Sequence, residues 1–249
     1  MLSFLDKSLP GIHIMAIAII VAGGPQNSSR MGTRENKCFL PLQKVPLIVH
    51  TLAAFHEHPS ITRIFIIITI RESEKIRNVL REYQIKKTEI YPASDTRMQS
   101  INNVLNENVF LPEELILIHD GARPFISKEL IDKLLGTMQE KDVDAAVVGV
   151  KPKDTILLAK NRILKSVLKR EDLVSIQTPI IATHAKLIKA RELAKEKGYL
   201  DASGFEDSAL MYKAGMNVKI VPSSYENIKI TTPEDLFSGE CILQNRSGK

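Results

Sequence analysis

The chain has 249 residues, 44% of them hydrophobic and 25% charged, which suits one large folded unit with a sizeable core. Its two cysteines, Cys38 and Cys241, lie far apart with no CxxC pairing; neither a disulfide framework nor a thiolate zinc site is expected, and a reducing cytoplasm is the expected compartment. The formal charge of +5 is spread along the chain without a Lys/Arg block, and no apolar run approaches the roughly 20 residues that span a bilayer. On composition alone, nucleic acid and a phosphorylated small molecule both stay open as partners.

The opening MLSFLDKSLPGIHIMAIAIIVAGG is not read as a signal peptide, because Asp6 stands beside Lys7 and Pro10-Gly11 interrupts the apolar stretch. Residues 1–14 are expected to be a tail, with Met15 an alternative start, and 16–21 a buried strand. From there, β-branched runs alternate with amphipathic segments. Strands are expected at Ala16–Val21, Ile64–Thr69, Glu89–Tyr91, Leu115–Ile118 and Asp144–Val150, and helices at Leu47–Glu57, Glu72–Tyr83, Gln99–Asn106 and Lys128–Glu140. Such alternation predicts an α/β fold whose parallel strands are covered on both faces. Past Val150 the pattern changes. Two β-prone stretches flank Lys160-Asn161-Arg162, predicting a hairpin arm over about 151–180. Helices are expected again near 184–197 and 206–214, strands at Asn217–Val221 and Asn227–Ile230, and a last helix from Pro233 after a Thr232 cap. The folded unit is placed at 15–243, leaving 244–249 as a C-terminal tail.

Four segments carry candidate chemistry. The first strand runs into AGGPQNSSRMG, at the end of the sheet where α/β proteins bind ligands. Gly23 and Gly24 would let backbone amides approach phosphate oxygens, with Arg30 and Lys37 as flanking cations. The loop is neither GxGxxG nor GxxxxGK[ST], and a glycine-rich surface turn is the alternative. IHDGARP puts Asp120 at a strand end, suited to Mg²⁺ or a ribose hydroxyl; the alternative is a turn aspartate paired with Arg123. His119 is expected to be packed or hydrogen-bonded, and the remaining histidines show no ligand spacing. SDTRMQS offers Ser94, Arg97 and Ser100 to a nucleotide, or merely caps a helix through Ser94 or Asp95. Arg170, Gln177 and Thr178 lie near the arm, and Lys229 precedes the last helix; each reads alone as an ordinary polar residue.

Taken in order, AGG…RMG, KCFL, HTLAAF, TRMQS, HDGARPF, VKPKDTI, KREDL…QTP, EDSAL and NIKITTPEDL resemble the 2-C-methyl-D-erythritol 4-phosphate cytidylyltransferases and their relatives, the ribitol-5-phosphate cytidylyltransferases, from about Ala16 to Leu236. The resemblance implies a Rossmann-like nucleotidyltransferase domain with a mostly parallel central sheet and a protruding β-arm. It implies CTP and a polyol phosphate as substrates, Mg²⁺ as cofactor, and neither nucleic acid nor membrane as partner. By the same resemblance, Arg30 and Lys37 act on the triphosphate, Ala22, Gly23 and Ser100 recognise cytosine, Asp120 holds Mg²⁺ and ribose, and Arg123 supports that loop. Arg170, Thr178 and Lys229 would bind the polyol phosphate, with the arm carrying Arg170 and Thr178 into a partner subunit's site in a homodimer. The pattern departs from the family in a longer glycine loop and in Asn36 and Cys38, where Pro and Gln are usual. Ribitol 5-phosphate as acceptor, and a nucleotide-binding protein without turnover, remain alternatives.

Overall fold

A computed structural model describes residues 14–23, 31–32, 35–198 and 206–247. In chain order the elements are β1 (Ala16–Val21), β2 (Pro41–Leu42), β3 (Val45–Pro46), α1 (Leu47–His56), β4 (Ile61–Ile68), α2 (Ser73–Glu82), β5 (Thr88–Pro92), α3 (Arg97–Glu107), β6 (Leu115–Asp120) and α4 (Lys128–Thr137). They continue with β7 (Ala145–Val150), β8 (Leu157–Lys160), β9 (Ile163–Val167), β10 (Ser175–Thr183), α5 (His184–Glu196), α6 (Asp207–Lys213), β11 (Val218–Pro222) and α7 (Pro233–Ser247).

Seven strands form one twisted sheet in the order β11-β7-β10-β6-β1-β4-β5. β1 pairs in parallel with both β4 and β6, β4 with β5, and β7 with β11, while β10 alone runs antiparallel, between β6 and β7. The unbroken apolar runs of the central strands follow from burial on both faces. With side chains alternating across the sheet, Ala16, Ala18 and Ile20 pack with Leu52 and Phe55 of α1 and Ile131 and Leu134 of α4. The intervening Ile17 and Ile19 pack with Ile101 and Val104 of α3 and Leu187 of α5. No described helix is long and apolar enough to cross a membrane.

The hairpin arm is present as β8 and β9, every residue of which is exposed. Three expectations are corrected. The arm does not reach residue 180, because 175–183 form β10 and enter the central sheet, with the ladder to β7 shifting register between Ile176 and Ile180. Residues 227–230 are not a strand; side-chain bonds from Asn227 and a single bond from the Ile230 amide to the Ala122 carbonyl hold them down. The C-terminal tail is helical to Ser247, since Arg246 pairs with Glu226 and donates to the Phe125 carbonyl. Of the expected N-terminal tail, only Ile14 is described, and it packs on the core; residues 1–13 lie outside the described residues.

Candidate active site

The C-terminal ends of β1, β4 and β6 converge with the start of α3 and the 227–230 segment. At the end of β1, the Ala22 and Gly23 amides both donate to the Ile67 carbonyl, at 2.9 and 2.7 Å. These two amides are therefore spent inside the fold, and the direct amide–phosphate contact expected at Gly23 is corrected. Gly23 is needed for close packing: a Cβ there would lie 2.6 Å from the Ala93 Cβ and 3.2 Å from the Ile68 backbone. Gly23→Ala is expected to lose about 1–3 kcal/mol by overpacking. A Gly23→Ala/Ala93→Gly double variant should recover part of that loss in urea denaturation, and no recovery would refute the packing account. Gly24 and Arg30 lie outside the described residues. Lys37 begins a 3₁₀ turn, Lys37–Phe39, seated on the buried Cys38 and Phe39. Burial pushes the Cys38 thiol up to about 12, so this sulfur packs and does not react.

The helix carrying Arg97 is capped by Thr96, whose hydroxyl accepts from the Gln99 amide at 3.1 Å, and not by Ser94 or Asp95 as expected. Ser100 is buried; its hydroxyl donates to the Thr96 carbonyl at 2.8 Å and accepts from the Ser94 amide at 2.9 Å. Ser94 in turn accepts from Asn103. Ser94 and Ser100 therefore fix the shape of the loop entering α3.

Asp120 is the electrostatic centre. Lys229 Nζ stands 2.7 Å from its Oδ2, Arg123 Nε 3.6 Å from the same oxygen, and Arg97 Nε 3.5 Å from Oδ1. Burial alone would raise this carboxyl, but Arg97, then Lys229 and Arg123, hold it well below the usual carboxylate range. Three cations surround one carboxylate, and their capacity is not used up: Arg97 Nη2 is buried without a hydrogen-bond partner, and Arg97 Nε and Arg123 Nε face Asp120 at ion-pair distance without a hydrogen bond. Buried N–H groups of this kind are ordinarily satisfied, and charge-assisted bonds to phosphate oxygens would satisfy them. A cavity of about 70 Å³ opens here, lined by Asp120, Arg123, Thr178, Asp207 and Lys229. That is room for a phosphate-sized group.

Neighbouring contacts hold these groups in place. The Asp120 amide donates to Thr178 Oγ1 at 3.0 Å, and Thr178 Oγ1 lies 3.1 Å from His119 Nδ1. His119 Nε2 lies 3.0 Å from the Arg123 carbonyl, so the ring donates there and accepts from the threonine, as a neutral imidazole can. Burial pushes His119 down to about 4, which keeps it neutral. Arg123 Nη1 donates to the Asn227 carbonyl, and Asn227 Nδ2 donates to the Thr178 carbonyl and to Gln177, stitching β10 to the segment that carries Lys229. Thr178, expected to reach into a partner's site, thus lines this chain's own cavity, with its hydroxyl already bonded at both ends. Arg170 is elsewhere, at the base of the arm, donating to the carbonyls of Pro152 and Lys153.

The sequence reading missed Asp207. Fully buried at the start of α6, it accepts from Arg97 Nη1 at 2.7 Å and pairs with Arg191 of α5, so Arg97 bridges Asp207 and Asp120. Among the described residues no group of three or more acidic, histidine or cysteine side chains is placed to hold a metal ion. Asp120 is the carboxylate that would hold a Mg²⁺ ion bound together with the phosphates.

The profile of the 2-C-methyl-D-erythritol 4-phosphate cytidylyltransferase family matches residues 16–245. The chain belongs to this family. Its relatives include the 2-C-methyl-D-erythritol 4-phosphate cytidylyltransferases of Lysinibacillus sphaericus, 35% identical over 92% of this chain and 96% of the relative, and of Clostridium novyi, 38% identical with the same two coverages. Among solved structures, the fold is similar to that of the 4-diphosphocytidyl-2C-methyl-D-erythritol synthase of Anaerococcus prevotii (TM-score 0.75, 27% identity, covering 93% of this chain and 97% of the other). It is also similar to the 2-C-methyl-D-erythritol 4-phosphate cytidylyltransferase of Francisella tularensis (TM-score 0.77, 25% identity, covering 91% and 99%). The α/β fold with its mostly parallel sheet and the nucleotidyltransferase class follow for this chain.

Proposed function

We propose that the protein transfers CMP from CTP to 2-C-methyl-D-erythritol 4-phosphate, releasing pyrophosphate, as a step in isoprenoid precursor synthesis. The observation that carries the reading is the set of three cations on Asp120, two of which, Arg123 and Lys229, line a phosphate-sized cavity. An oxygen of the acceptor phosphate forms a bond to the α-phosphorus of CTP as the bond from that phosphorus to the β-phosphate oxygen breaks. The acceptor is already an anion, so no base is required. What the reaction needs is in-line alignment and neutralisation of crowded phosphate charge.

In this reading Arg30 and Lys37 neutralise the triphosphate, and the Ala22–Gly24 backbone with the Ser94–Ser100 loop shapes the base pocket. Arg97 and Arg123 receive phosphate oxygens, Lys229 binds the acceptor phosphate with Thr178 beside it, and Arg170 contributes from the arm. Asp120 holds the ribose and Mg²⁺; the metal, when bound, adds positive charge at the phosphates. The fully exposed arm presents Leu157, Leu158, Ile163, Leu164 and Val167, which supports a homodimer formed through it. Cys38 and Cys241, both free thiols, suit the cytoplasm.

The test is pyrophosphate release from CTP and Mg²⁺ with either methylerythritol phosphate or ribitol 5-phosphate as acceptor. Methylerythritol phosphate should be strongly preferred. Lys229→Ala should lower kcat/KM about 100-fold or more, and the variant should remain folded, because Asp120 keeps Arg97 and Arg123. Release that does not depend on an acceptor, or a preference for ribitol phosphate, would overturn the reading.

A further inference from the structure

Lys37 follows β1 by sixteen residues, and its placement relative to the sheet depends on the residue before it. Asn36 uses its whole carboxamide. Nδ2 donates to the Ala22 carbonyl at 2.8 Å and to Glu72 Oε2 at 3.1 Å, while Oδ1 accepts from the Cys38 amide at 3.0 Å and caps the turn that Lys37 begins. Glu72 Oε2 is itself fixed, accepting from the Thr69 hydroxyl at 2.6 Å just past β4. Three residues further, on the same face at the start of α2, Lys75 pairs with Glu35 and lies 4.5 Å over the Phe39 ring. The chain on both sides of Lys37 is thus gripped by Glu72, just before α2, and by Lys75 in its first turn, and a single side chain joins that grip to the end of β1.

We propose that Asn36, locked by Glu72, is a positioning residue: it ties the turn bearing Lys37 to the Ala22 carbonyl, so that the lysine and the base side of the site are held at one fixed separation. The proposal rests on the reading of Lys37 as a triphosphate ligand. The chemistry demands an amide at this position. Two of its three bonds need N–H donors, and a carboxylate there would instead meet Glu72 at hydrogen-bond distance, as like charges. A near-isosteric Asn36→Asp change should consequently harm more than truncation to Ala.

The test is steady-state pyrophosphate release by the full-length variants, with melting temperatures to confirm folding. Asn36→Ala should lower kcat about 10- to 100-fold with little change in KM for the acceptor, because the reacting groups are bound but misplaced. Asn36→Asp should be slower still, and Glu72→Gln in the same chain should restore part of the rate by returning a donor to the pair. The decisive readout is coupling: Asn36→Ala/Lys37→Ala should be no slower than Lys37→Ala, since a residue acting through the lysine has nothing left to position. Multiplying losses in the double variant, or a kcat for Asn36→Ala within about two-fold of the parent, would overturn the proposal while leaving the reading of Lys37 intact. Full activity in Lys37→Ala would overturn both.

Discussion

Asp207→Ala is expected to lose about 3–5 kcal/mol of folding stability, the cost of stripping one partner from a buried ion pair. The Asp207 carboxylate is buried and serves two arginines. Arg97 would retain Asp120 and Glu206, but Arg191, buried in α5, has no other carboxylate partner among the described residues. An uncompensated guanidinium would be left between α5 and α6. Urea unfolding measures the loss, and a change under about 1 kcal/mol would show that the pair is dispensable. The acid limb gives a second readout. Burial would raise the Asp207 carboxyl, but Arg97 and Arg191 hold it below its unfolded-chain value of 3.8. With the folded value the lower one, the unfolded chain binds more protons below about pH 4. This contribution is therefore complete above that pH and is lost as pH falls through the folded value. The variant should show a flatter stability curve below pH 4, with the carboxylate Asp120 still contributing there. Turnover should fall as well, because Arg97 loses the anchor that aims it at Asp120.

What the sequence revealed and what it hid divide along physical lines. Apolar runs such as IAIIVA and IFIIIT suit central strands, and β1 and β4 lie where those runs predict. β10 was hidden because Gln177-Thr178-Pro179 interrupts its pattern, and a proline argues against a central strand. The register shift between Ile176 and Ile180 is where the ladder accommodates it. Conversely, the alternation Asn227-Ile228-Lys229-Ile230 looks like a strand, yet among the described residues it joins no ladder, and the Asn227 side chain with the one Ile230–Ala122 backbone bond performs the attachment. Asp120 was legible only within the ordered set of motifs, since alone it also reads as a turn aspartate paired with Arg123, a pair the fold does contain. Asp207 was not, since an acidic residue in the first turn of a helix reads as a partner of the helix dipole. Only the folded chain brings Arg97 to it across 110 residues. Asn36 carries no pattern at all; its meaning lies in three partners at separations of 2, 14 and 36 residues.

Asp120→Asn should separate binding from turnover. The substitution keeps the side chain's shape but removes the carboxylate charge with which Arg97, Arg123 and Lys229 all pair. Stability should change less than in Asp207→Ala, since Arg97 keeps Asp207, Arg123 keeps the Asn227 carbonyl, and Lys229 is partly exposed. The cationic site should hold the CTP phosphates at least as tightly as before, because their attraction to the three cations no longer competes with the Asp120 carboxylate. Productive geometry is another matter. Lys229 would lose the partner that fixes its ammonium 2.7 Å from Asp120 and would be free to join the triphosphate, away from the acceptor. The proposed Mg²⁺ site would lose its protein carboxylate in the same stroke. kcat is therefore expected to fall about 10²- to 10³-fold while CTP affinity is kept or improved, the pattern of a lost interaction that acts in the transition state and not in the ground state. Calorimetric titration of CTP with and without Mg²⁺, set beside the rate of a single turnover, distinguishes the outcomes. Affinity falling in parallel with kcat would mean that Asp120 serves mainly to bind nucleotide, and an undiminished rate would remove it from the reaction.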